Sequence, residues 1–228
     1  MIGRLAGARI VDLTLPIEAG HFRWPVERGT SGRLADGDVF EAGWLRTPCH
    51  AFTHIDAPSH MVPGGATLDA LDLARVTGRA AVIDLADLAP EEAITEARLA
   101  ARAGHLAPGE IALFASRWDE RRDWRSPAYW REAPYLSREA CAWLLARRPA
   151  AAAFDFPQDY TIRLLLEGEM RPIAEHVSHD VLLRAGVPLI EYLAGVGRVA
   201  GPHTTLCALP LRLAGADGAP ARVIALEG

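Results

Sequence analysis

The segment His50-Ala51-Phe52-Thr53-His54-Ile55-Asp56-Ala57-Pro58-Ser59-His60 carries three of the chain's eight histidines, with an aspartate among them. Pro58 has no N–H to give a helix, and β-branched Thr53 and Ile55 are stiff at χ1. One helix through the whole segment is therefore not expected. In an extended chain, side chains two apart share a face, and the four polar positions are all separated by even numbers. His54 and Asp56 then stand about 6.6 Å apart along the strand, close enough to chelate one ion. On the same geometry His50 lies about 13 Å from His54, so the chain must turn or bulge between them if His50 is a ligand. Imidazole nitrogen with carboxylate oxygen suits zinc, manganese or iron in a hydrolytic site. Burying three imidazoles and a carboxylate without metal would leave several polar groups in need of partners. His179 and Glu191 are the candidates for further ligands, since both fall at expected element ends, where sites are commonly built. Asp56 can bridge two ions.

Outward from this segment, short apolar β-prone runs read as strands: Arg9–Leu13, Ala80–Leu85, Ile111–Ala115, Ala151–Phe156, Val187–Ile190, Thr204–Leu209 and Arg222–Leu226. Helices are expected between several of them. Glu91–Ala103 follows Pro90 and stops at Gly104, Arg138–Arg148 follows the cap Ser137, and His179–Ala185 lies between Ser178 and Gly186. The alternation predicts a mixed α/β (α+β) fold, and nothing in residues 1–228 marks a linker, so one domain is expected. Residues 116–136, rich in Trp, Tyr and Arg, show no sustained period. They read either as a surface excursion pinned by its tryptophans or as a lid or subunit contact.

Composition removes much other chemistry. The 228 residues hold 24 Arg, no Lys, no Asn and one glutamine, Gln158, with a net charge of −5. Without lysine there is no Schiff base and no phosphate-loop GK[ST]; without a basic excess, nucleic acid is not an expected partner. Cys49, Cys141 and Cys207 are widely spaced and form neither a disulfide framework nor a thiolate zinc site. No G-x-S-x-G is present. Residues 1–13 show neither the apolar core nor the small-residue cleavage site expected of a secretory signal, and no apolar run reaches the roughly 18 residues that cross a bilayer. A cytoplasmic protein without membrane partners is expected.

His50–His60 resembles the HxGTHxDxPxH signature of the metal-dependent cyclase/kynurenine formamidase family, which includes isatin hydrolases. Ile10–Thr14, Arg23-Trp24-Pro25, Gly78–Leu85, His179–Leu183, Ile190–Leu193 and Asp217–Pro220 are similar to further blocks of that family. The resemblance implies a swivelling β/β/α-type fold and a homodimer or homotetramer with the site near a subunit boundary. It also implies metal ligands at His50, His54 and Asp56, a second ion at His179 and Glu191, and a catalytic acid/base at His60. Phe52 stands where the family usually has Gly, a residue that permits positive φ.

One or two divalent ions, zinc first and manganese second, are the expected cofactors. Such an ion lowers the pKa of bound water towards 7, and His60 can move a proton to a leaving group. The expected activity is hydrolysis of an amide, formamide, lactam or lactone in a small aromatic or cyclic substrate. Phe22, Trp24, Phe52 and Gln158 are its candidate contacts. A family member that binds metal and ligand without turnover is the alternative.

Overall fold

The computed structural model describes residues 4–228. The main sheet is built from β1 (Arg4–Leu5), β2 (Ala8–Asp12), β3 (His54–Asp56), β4 (Thr77–Asp84), β5 (Ile111–Ala115), β6 (Ala151–Phe154), β7 (Leu189–Glu191), β8 (His203–Pro210) and β9 (Gly218–Glu227). Their order is β1-β2-β9-β8-β4-β5-β6-β7-β3, and β3 also pairs with β9. That extra pairing closes seven of the strands into a barrel-like ring. Strands β4 to β7 run parallel, and every other neighbour is antiparallel.

Strand alternation separates two cores. All seven ring strands send residues inward, among them Ile55, Val82, Leu113, Ala153, Ile190, Leu206 and Val223, and this interior is rich in alanine. Small side chains are what a narrow barrel can hold. The opposite face, with Ala81, Ile83, Phe114, Phe154 and Leu189, packs beneath helices and an aromatic layer. With Ile55 and Ile190 turned inward, the period of two sends His54, Asp56 and Glu191 to the outer face. Register places Glu191 opposite His54 and Leu189 opposite Asp56.

The parallel strands are joined by helices, as crossover connections require. The expected helix over 91–103 is shorter: Thr95 caps Glu96–Arg102 through its hydroxyl, 3.3 Å from the Arg98 N–H. Ala93–Ile94 instead pair with Tyr135–Leu136 in a small parallel ribbon. Arg138–Ala146 is capped by Ser137 as expected. Residues 116–136 are pinned by their tryptophans, the first of the two readings, with Arg117, Asp123 and Arg125 left exposed. They fold into two short helices, Trp118–Arg121 and Pro127–Arg131, whose Trp118, Tyr129 and Trp130 are buried core. A separate ribbon, Glu27–Gly32 with Ala42–Arg46, carries exposed Trp44 and Leu45, with exposed Val39 and Phe40 near its turn.

Candidate metal centre

The turn demanded between His50 and His54 is present. Phe52 sits at φ 56° in the left-handed region, and its carbonyl accepts from His54 Nδ1 at 2.8 Å. A non-glycine residue there costs about 1–2 kcal/mol. Phe52 is fully buried against Trp24, with ring centroids 4.5 Å apart, so aromatic packing holds the strained turn. Thr53 pins the start of β3 by donating to the Tyr192 carbonyl at 2.6 Å and accepting from the Leu15 N–H at 2.8 Å.

His54 Nε2 lies 3.0 Å from Asp56 Oδ1 and 3.6 Å from Glu191 Oε2. His179 Nε2 lies 3.3 Å from Asp56 Oδ2 and 3.2 Å from Glu191 Oε1. In each ring Nδ1 is already committed: that of His54 to the Phe52 carbonyl, that of His179 to Asp159 Oδ2 at 2.6 Å. Both rings therefore turn Nε2 towards two carboxylates. A nitrogen and carboxylate oxygens that face one another this way need a proton or a metal cation between them. His54 Nε2 and Asp56 Oδ2 are buried and have no hydrogen-bond partner among the described residues. The His54–Asp56–Glu191 group thus fits a divalent ion in donor type, spacing and unsatisfied atoms.

A second group, His50, Asp56 and His60, shares Asp56 with the first. His50 Nδ1 lies 2.6 Å from Asp56 Oδ1, and its Nε2 lies 2.9 Å from Asp217 Oδ2. The His60 ring stacks on His50 at 3.8 Å, with Nδ1 3.4 Å from Asp217 Oδ2. Gly218 makes this approach possible: a Cβ there would stand 2.5 Å from His50 Cε1 and 2.9 Å from the Ile55 carbonyl.

The titration pattern follows from the same crowding. Burial disfavours the His179 cation, yet Glu191, Asp159 and Asp56 outweigh it and hold its pKa well above 6.5. Burial likewise opposes charge on Asp56, but His54, His179 and His50 pull its pKa well below 3.8. His50, desolvated but set between Asp56 and Asp217, is raised to about 9. His60 goes the other way: burial lowers it below 6.5. It stays neutral at pH 7.

A cavity of about 340 Å³ opens on the cluster. Met61, Ile162, Leu165 and Ile173 make its apolar wall, and Arg23 and His176 add polar groups. A larger recess of about 700 Å³ runs beside the ribbon but has no histidine in its wall. Of the expected substrate contacts, Phe22 is half exposed and shares an adjoining recess of about 460 Å³ with Trp24 and His50. Phe52 does not wall the metal-side cavity, because its left-handed turn drives the ring into the core. Gln158 is buried behind the cluster and donates to Glu191. The short turn His179–Leu183 is π-helical, the Ser178 side chain makes no capping bond to it, and Asp159 accepts the Ser178 N–H at 2.6 Å. Asp155, in the turn after β6, is fully buried. It accepts from Ser116 and from the Arg117 N–H at 2.7 Å, while Arg163 pairs with Glu91.

Asp159, Asp217 and His176 were missed by sequence reasoning. Asp159 lies in the polar–aromatic turn Phe154–Tyr160 that follows β6, and Asp217 in Asp217–Pro220, already noted as similar to a family block. Their partners lie 20 and 167 residues away, so no local spacing reveals the contacts.

Fold and site together define a mixed α/β protein with a candidate divalent-metal centre on the outer face of a closed, barrel-like sheet. The family described as "Putative cyclase" matches residues 11–158, and the chain belongs to that cyclase family. The kynurenine formamidase of Sphingopyxis alaskensis is 26% identical over 230 residues, spanning 96% of this chain and 99% of that protein. The kynurenine formamidase of Bacillus cereus is 25% identical over 218 residues, spanning 94% and 95%. A solved structure described as a predicted metal-dependent hydrolase from Bacillus stearothermophilus superposes with TM-score 0.76 at 27% identity, covering 98% of this chain and 100% of that one. Isatin hydrolase A from Labrenzia aggregata superposes with TM-score 0.79 at 21% identity, covering 96% and 94%, a likeness of fold.

Proposed function

We propose that this protein is a metal-dependent hydrolase of small non-peptide amides, with formamides and lactams first and lactones next. The observation that carries the reading is the pair of buried imidazoles, His54 and His179, whose Nε2 atoms converge on Asp56 and Glu191 while each Nδ1 is held by another acceptor. His50, His54, Asp56, His179 and Glu191 would hold one or two ions, with zinc preferred over manganese for this nitrogen–oxygen donor set. A divalent cation held there supplies Lewis acidity towards a carbonyl and acidifies water. His60, neutral at pH 7 and on the cavity wall, accepts a proton and returns it to the leaving nitrogen. The apolar wall orients a ring and excludes bulk water.

The similarity to kynurenine formamidases and to a metal-dependent hydrolase supports the reaction class. Intact His60 favours turnover over a purely binding role. We place the activity in one domain spanning 1–228 and in a cytoplasmic homodimer or homotetramer, for which the apolar ribbon offers a contact surface. The test is to strip the protein with chelator, reload it with zinc or manganese, and assay aryl formamides, isatin and lactones. Metal-dependent hydrolysis of one class is expected. A metal-loaded protein inert towards all of them overturns the hydrolase.

A further inference from the structure

We infer that Arg23 is a specificity residue that binds a carboxylate on the substrate, so that the preferred amide is anionic. This rests on the hydrolase reading for the identity of the ligand, but the argument for an anion comes from Arg23 itself.

Arg23 is half-buried and lines both the cavity over the metal cluster and the adjoining recess containing Phe22 and Trp24. Its guanidinium forms no ion pair among the described residues, and its Nε is buried with no hydrogen-bond partner. The other arginine on this cavity, Arg171, is neutralised by Glu175 at 2.8 Å. Neither Asp56 nor Glu191 pairs with Arg23; those acids are turned to the imidazoles. An unpaired, partly desolvated guanidinium is costly to keep unless something supplies its acceptors.

The group is also held in place before any ligand arrives. It lies over the Trp130 ring, 4.6 Å from the centroid, at cation–π distance. Trp130 is fully buried and fixed by its Nε1 donating to the Trp124 carbonyl at 3.2 Å. A planar guanidinium fixed on an aromatic face, with one edge open to a small-molecule cavity, suits two-point recognition of a carboxylate. Pre-ordering removes the entropy otherwise lost in binding.

The test compares matched probes on the metal-loaded protein. For turnover these are N-formylanthranilate and its neutral parent formanilide; for binding, 2-carboxybenzamide and benzamide, followed by quenching of tryptophan fluorescence. Wild type is expected to prefer the anionic member of each pair at least tenfold. Arg23→Gln is expected to bring that preference close to one, through KM and not through kcat, and Arg23→Lys to restore part of it. Equal loss of kcat on both formamides in Arg23→Gln would make the guanidinium a carbonyl-polarising group and overturn the inference. A wild type indifferent to the carboxylate in both pairs would overturn it too. Anion-selective binding without any hydrolysis would sustain Arg23 while removing the hydrolase; hydrolysis without anion preference would do the reverse.

Discussion

Asp159→Asn is a near-isosteric change that tests how His179 is presented. The carboxylate of Asp159 accepts the Ser178 N–H on Oδ1 at 2.6 Å, and on Oδ2 both His179 Nδ1 at 2.6 Å and the His179 N–H at 3.4 Å. All three partners are donors when His179 is in the tautomer that leaves Nε2 bare. An amide offers only one accepting atom. If its oxygen keeps the Ser178 N–H, its NH₂ meets His179 Nδ1, which must then accept, and the ring proton moves to Nε2. If the amide flips, its NH₂ collides with the Ser178 N–H. Either arrangement removes the Nε2 lone pair from the cluster or leaves a buried donor unsatisfied, at about 1–3 kcal/mol. Loss of such an orienting carboxylate typically costs 10–100-fold in metal affinity, which at 1.4 kcal/mol per tenfold is about 1.4–2.8 kcal/mol. Chelator competition should therefore show a zinc Kd weakened by one to two orders of magnitude in a protein whose near-ultraviolet circular dichroism is unchanged. An unaltered Kd in the folded variant refutes the reasoning, because His179 would then not depend on Asp159 for its tautomer.

Replacing His60 by Ala should lower kcat about 10²–10⁴-fold, the usual worth of a general acid/base, with metal content by elemental analysis unchanged. Loss of metal instead would make His60 a ligand, as its place beside His50 and Asp56 allows. Phe52→Gly frees the left-handed turn, a gain of about 1–2 kcal/mol, but deletes a fully buried ring worth about 3–5 kcal/mol. The net loss of about 1–4 kcal/mol should lower the melting temperature by about 2–16 °C at this chain length. A more stable variant would mean that strain, not packing, dominates. Asp155 is raised by burial to about 7 from 3.8. The folded state then holds a proton between those values that the unfolded state releases, so Asp155 weakens stability as pH rises from about 4 to about 7. Relative to Asp155→Asn, wild type should lose melting temperature over that range and hold a constant difference above it. Parallel melting curves across pH would contradict the sign.

The chemistry of the centre was legible locally, since four of its residues, His50, His54, Asp56 and His60, fall within eleven positions. Even spacing put His54 and Asp56 on one face, and the distance to His50 demanded the turn that Phe52 makes at φ 56°. Long apolar strands were legible for the same reason: Ile111–Ala115 is apolar on both faces because both faces are buried. Helix lengths were less so. The pattern over 91–103 is helical in propensity throughout, but Ala93–Ile94 gain more from pairing with Tyr135–Leu136 than from extending the helix. Propensity yields to such tertiary pairing.

What the amino-acid order determined by itself was therefore the donor set, its local geometry and the alternating elements that carry it, because each depends on neighbours within a few residues. Closure of the sheet through β3 and β9, the opposition of Glu191 to His54, and the grip of Asp159 and Asp217 on their imidazoles came only from tertiary structure. Those contacts join residues 20 to 167 positions apart, and their energy depends on burial and facing geometry that no local window of sequence contains.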